Sequence, residues 1–101
     1  MTTVYISYAG DATTHFDRTY YRTQHLPLVR KSWEQYGLQS VTAFYPEEDG
    51  AGTIAIGVCK FRDEAAVAVS FQSQETPQVL ADIKNFTDVT PSRSRAVPLS
   101  A

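Results

Sequence analysis

TIAIGVCKF, residues 53–61, is the most apolar stretch of this 101-residue chain, and it is apolar on both faces. Ala55, Gly57, Cys59 and Phe61 alternate with Ile54, Ile56 and Val58, the period of two that marks a strand. A strand with two apolar faces needs cover on both. Upstream, the polar, glycine-bearing turn EEDGAG (47–52) separates it from QSVTAFYP (39–46), which also alternates, so the two read as a hairpin. The acidic run at Glu47, Glu48 and Asp49 belongs to that solvated turn. TVYISYA (3–9) is a further alternating stretch, ended by Gly10 and Asp11.

Between these strands lie helical signals. Residues 17–36 form one stretch, with Asp17 as N-cap, Phe16 as the staple residue before it and Gly37 as the left-handed residue that closes it. Asp63 caps a helix over 65–71. Thr76 is a second N-cap, followed by Pro77 at the first helical position of a piece ending near Lys84. Pro91 and Pro98 interrupt the last strand or confine it to an edge. The order is β-α-β-β-α-β, an α+β, ferredoxin-like arrangement: an antiparallel sheet with helices on one face, within a single domain over 1–101. Its second face is left for a partner, and the simplest partner is another copy.

Composition narrows the function. With 43% hydrophobic and 20% charged residues the chain is globular rather than disordered. A net charge of −2 with scattered basic residues argues against nucleic acid, which needs a concentrated Lys/Arg footprint. MTTVYISYAG lacks a basic n-region and an apolar h-region, and no apolar run is long enough to span a bilayer. A lone cysteine, Cys59, suits a reducing compartment. A cytoplasmic protein without membrane contact is expected. Two histidines and one cysteine offer no metal-ligand spacing, and no phosphate-binding glycine motif or GxSxG elbow occurs. No metal and no cofactor are expected.

FDRTYYRTQHLPLV (16–29) carries the chemistry. At 100° per residue Tyr21, His25, Leu28, Val29, Ser32, Trp33 and Tyr36 share a wedge that should face the sheet, with His25 near its middle. Pro27 cannot donate to the carbonyl of Thr23 and disfavours helix geometry at Leu26, so a kink or a new helix start belongs there, leaving space beside His25. Such a histidine is either a core residue bonded to a carbonyl or a tyrosine, or the titratable group of a pocket. His15, in a polar turn, reads as solvated.

The spacing F-D-x-x-Y-Y-x-x-x-H-x-P-L-V resembles the signature helix of the EthD family. Leu80-Ala81-Asp82-Ile83-x-Asn85-Phe86-Thr87-Asp88 is similar to that family's second motif. The resemblance implies a dimeric α+β barrel, two ferredoxin-like sheets face to face. It also implies kinship with small cofactor-free isomerases, decarboxylases and oxygenases that bind aromatic or polyketide-type molecules between helices and sheet. It puts His25 at the pocket and Phe16, Tyr20, Tyr21 and Trp33 in its wall, and makes Asn85, Thr87 and Asp88 mostly backbone-bonding residues. The resulting expectation is an enzyme in which His25 is the general base or acid and Tyr21, or another tyrosine, hydrogen-bonds a developing oxyanion. Phe16, Tyr20, Leu28, Val29, Trp33 and Tyr5 would bind a hydrophobic substrate. The alternative is a pocket that only binds such a molecule, as a carrier or as an accessory to a redox system. Whether further polar groups converge on His25 separates the two.

Overall fold

The computed structural model describes residues 1–48, 50–97 and Leu99, so the expectations at Asp49 and Pro98 lie outside the described residues. Four strands, β1 (Thr2–Gly10), β2 (Leu38–Phe44), β3 (Gly52–Phe61) and β4 (Ser92–Ala96), form one sheet in the order β2-β3-β1-β4, every neighbouring pair antiparallel. β1 and β2 run parallel with β3 between them, the split crossover of a ferredoxin-like fold. Short β4, opened by Pro91, lies at an edge, where a missing backbone donor is tolerated.

The register assigns the faces. Val4, Ile6 and Tyr8 of β1 pair with Cys59, Gly57 and Ala55 of β3, and this side meets the helices. Tyr5 pairs with Val58, Ser7 with Ile56, and Phe44 of β2 with Ile56, on the side without helices. There Tyr5 is 38% and Phe44 61% exposed. Ile54 is the extra residue of a bulge opposite Tyr8 and Ala9, and joins the helix-side core.

The first crossover begins as expected. Asp17 accepts a hydrogen bond from the Tyr20 amide at 3.0 Å and starts α1 (Arg18–Tyr20). The chain then widens into a π-helical segment, Tyr21–His25, before α2 (Leu26–Trp33), with Pro27 in the first turn of α2. The Leu26 amide reaches back five residues to the Tyr21 carbonyl. Pro27 thus stands in the first turn of a new α-helical run, one of the two outcomes expected of it, and the backbone enters that run in helical conformation without a break. The wide turn absorbs a residue that cannot make the ordinary four-residue bond. A 3₁₀ turn, Glu34–Tyr36, ends at Gly37 with φ 118°.

The second crossover comprises α3 (Glu64–Gln72), capped by Asp63 onto the Ala66 amide, and α4 (Thr76–Asp82), which passes into a 3₁₀ turn, Ile83–Asn85. Thr76 is not the N-cap expected of it. It lies inside α4, and Glu75 holds the cap position without a capping bond, its carboxylate accepting from Tyr36 and Gln35 instead. The Thr76 hydroxyl is committed elsewhere: it donates to the Ser70 carbonyl at 2.7 Å and accepts from the Trp33 indole at 3.0 Å, tying α2, α3 and α4 together.

Two cores result. One packs Val29, Trp33, Val67 and Val79 on Val4, Cys59 and Phe61. The other is largely aromatic, with Tyr8, Tyr21 and Phe86 buried and Phe16, Tyr20 and Tyr45 around them. No helix among the described residues is long and apolar enough to cross a membrane.

Gly37 tests the first crossover's exit. A Cβ there would stand 2.6 Å from the Ala66 Cβ, on a backbone whose φ is already positive. Gly37→Ala should cost about 1–3 kcal/mol in urea denaturation with an unchanged slope, and a loss below half a kcal/mol would contradict this packing.

Candidate functional site

His25 ends the π-helical segment, and the wide turn delivers it to a buried position, 4% exposed. Its ring stacks almost parallel to Tyr21, 5.6 Å between centroids, and tilts against Phe86 at 4.6 Å. Its Nδ1 lies 2.9 Å from Oδ2 of Asp82, the last residue of α4. The other carboxylate oxygen, Oδ1, accepts from the Tyr20 hydroxyl at 2.6 Å and the Asn85 amide at 3.0 Å. Three donors thus converge on one carboxylate.

The backbone fixes this junction. The Asp17 amide donates to the Phe86 carbonyl at 2.8 Å, Phe16 bridges Thr87, and the Thr87 hydroxyl donates to the His15 carbonyl at 2.6 Å. The start of the His25-bearing helix is thereby tied to the segment leaving the Asp82-bearing one.

Charge follows from these contacts. Burial pushes the Asp82 carboxyl upward, but the bonds from Tyr20, Asn85 and His25 more than reverse this and hold it below the ordinary carboxylate value. Burial is also the largest influence on His25 and lowers it below 6.5, against the opposing pull of Asp82. At neutral pH the pair is an ionised carboxylate beside a neutral imidazole. An ionised carboxylate only accepts, so the proton is assigned to Nδ1 and Nε2 keeps its lone pair. No described residue hydrogen-bonds Nε2, nor is it among the sealed, unpartnered atoms.

His25 lines a cavity of about 550 Å³ between α2, α4 and the β1–β4 half of the sheet, a volume suited to a small organic molecule. Val29 and Trp33 line it too, with Ile6, Val79 and Ile83. The other expected wall residues fall elsewhere. Tyr20 stands behind the histidine with its hydroxyl committed to Asp82. Phe16 borders a second, smaller cavity of about 190 Å³, and Leu28 packs on the first core. Tyr21 is buried with its hydroxyl against Gly57, where a Cβ would come within 2.8 Å. Tyr5 is on the opposite face of the sheet, because strand alternation sends it away from Val4 and Ile6. His15 is exposed, as expected.

Two residues escaped the sequence reading. Tyr8 lines the cavity, and burial, helped by the Cys59 thiol, raises its phenol so that it stays protonated. No described residue bonds its hydroxyl. Its alternation with Val4 and Ile6 marks it as helix-facing. Asp82 was visible as the carboxylate three residues before Asn85, one helical turn apart, but nothing local shows that His25 sits opposite. Cys59 is buried in the core, its thiol pushed up to about 12 by burial. Among the described residues no group of three or more His, Cys, Asp or Glu is placed to hold a metal ion.

No family model and no curated protein sequence matches the chain. Solved structures do. An EthD-like protein from Ralstonia eutropha superposes with a TM-score of 0.82 at 18% identity, over 94% of this chain and 88% of that one. An EthD family protein from Bacillus halodurans gives 0.69 at 16%, over 96% and 100%. SnoaB from Streptomyces nogalater, described as a cofactor-independent oxygenase, gives 0.65 at 10%, over 99% and 94%. The chain has the fold of EthD-like proteins, in agreement with its two motifs.

The charge assignment predicts a pH profile. With the folded His25 value below 6.5, the unfolded chain takes up a proton first as pH falls. The contribution to stability is complete above pH 6.5 and is lost as pH falls through the folded value. NMR titration should find His25 below 6.5 in the parent and lower still in Asp82→Asn, where the upward pull is gone. A parent value at or above 6.5 would contradict the assignment.

Proposed function

We propose that this chain is an EthD-like, cofactor-independent enzyme that moves a proton on a hydrophobic, aromatic or polyketide-type molecule bound in the His25 cavity. The observation that carries the reading is the carboxylate of Asp82, gripped by Tyr20 and Asn85 and bonded to Nδ1, behind an imidazole whose Nε2 has no protein partner. A core histidine needs one acceptor. It does not need an acceptor that is itself oriented by two further donors, the arrangement that fixes a tautomer and stabilises a transient imidazolium.

In the proposed step Nε2 takes a proton from a carbon beside a carbonyl. The electron pair moves onto the carbonyl oxygen, and Asp82 offsets the charge gained by the ring. Tyr8 takes the role expected of Tyr21: it lines the same cavity as His25, and its protonated phenol can donate to the developing oxyanion. Return of the proton from Nε2 to another carbon completes an isomerisation. The same enolate attacks an internal carbonyl in a cyclisation or reacts with molecular oxygen in an oxygenation, and loss of CO2 from a β-keto acid delivers it for protonation by the imidazolium. The apolar walls exclude water from the reacting centre.

A homodimer is part of this proposal. Tyr5, Val58, Ile56 and Phe44 form an apolar patch on the face without helices, and a second copy of that face is its complement.

Proton transfer is read by deuterium exchange beside the carbonyl of β-tetralone and related aryl ketones, followed by NMR. His25→Gln, which can still donate to Asp82, should keep a melting temperature close to the parent's while exchange falls about 10²–10⁴-fold. Tyr8→Phe should retain binding and lose part of the rate. Binding without exchange in the parent would leave only a ligand carrier. Light scattering should give a mass about twice 11.2 kDa, reduced to one chain by Phe44→Glu at an exposed position of the patch, and a monomeric parent would remove the dimer from the proposal.

A further inference from the structure

Two cations at the cavity mouth have no part in the proton transfer. Lys84 and Arg93 both line the cavity and both are exposed, whereas His25 lies inside it. Neither has an ion-pair partner among the described residues. Asp88 also lines the mouth but pairs with neither, so two cations face one carboxylate there.

β4 offers an internal contrast. Arg93 pairs with Ile6 and Arg95 with Val4, so both arginines stand on the helix side of the sheet. Arg95 is answered by Glu64, with Nη2 donating to Oε1 at 2.8 Å and Nε to Oε2 at 3.2 Å. Arg93 has no such acid. Its guanidinium is held instead over the Phe71 ring, 4.6 Å from the centroid. That contact steadies the guanidinium, and with no hydrogen-bond partner among the described residues its N–H groups are available to a planar, two-oxygen acceptor.

The interior beyond is lined largely by Ile6, Val29, Val79 and Val89; its polar groups there, the neutral His25 imidazole and the Tyr8 phenol among them, carry no charge, so among the described residues it offers an anion no cation. A ligand that fits both regions has an apolar body and a single anionic end. We propose that the substrate is a carboxylic acid whose carboxylate is read at the mouth by the Arg93 fork and the Lys84 ammonium, while its flat apolar body reaches His25. This deepens, and rests on, the reading of the cavity as the proton-transfer site. It also suits the chemistry: removing a proton from a molecule that is already an anion is disfavoured unless the first charge is offset.

The probes are naphthalene carboxylate and the neutral carboxamide of the same shape, titrated into the parent, the Lys84→Gln/Arg93→Gln double variant and an Arg95→Gln control, with resonances of cavity residues as reporters. The parent should bind the carboxylate about tenfold or more tighter than the amide, by a margin that narrows with salt. The double variant should bind both equally, with affinity for the amide unchanged, and Arg95→Gln should behave as the parent. Equal binding of the two probes by the parent, or a preference that survives in the double variant, would overturn the carboxylate and leave proton transfer standing. If neither probe shifts the cavity resonances, the cavity reading falls and the carboxylate with it.

Discussion

The missing N–H of Pro27 is the constraint on which the rest depends. In an α-helix that amide would bond the Thr23 carbonyl, and its absence from an unbroken helix would leave a gap in the ladder. The chain answers by widening the preceding turn, so that Leu26 reaches Tyr21 and the segment carrying His25 is re-phased. One extra residue in a turn moves every side chain before it around the helix relative to those after it. Tyr20 and His25 reach one carboxylate, while Val29, Ser32 and Trp33 still face inward. The proline and the histidine are parts of a single device: the first sets the turn that aims the second.

Burial and polarity meet at one point in consequence. The aromatic cluster of Tyr8, Tyr21 and Phe86 strips water from His25, favouring its neutral form, while Asp82 supplies the charge that would welcome a proton. The two influences oppose each other. An imidazole balanced in this way is neutral at rest and can become charged with modest help, the condition a proton carrier needs. On a fully solvated surface neither influence would be strong.

Much of the fold could be read locally. Alternation in 53–61 and 3–9, the Asp17 and Asp63 caps and the Gly37 exit are each decided within a few residues, and each reappears in the structure. Thr76 was misread because its hydroxyl serves Ser70 and Trp33, partners that only tertiary packing brings near. The site divides in the same way. His25 stood out through its neighbours in sequence, but the Asp82 that orients it lies fifty-seven positions away. Tyr5 and Tyr8 differ by three positions and so fall on opposite faces of the sheet. A strand reading separates them only once the helix-bearing face is known.

Trp33 gives the molecule its own optical gauge. It is the single tryptophan of the chain, buried, edge-on to Phe71 and hydrogen-bonded through its indole to the first residue of α4. It belongs to the core and also lines the cavity. Indole emission responds to the loss of a hydrogen bond and to water at the ring, so undocking of α4 and filling of the cavity alter the same signal in different directions. The residue that fastens α2 to α4 also makes the state of the cavity visible without a label.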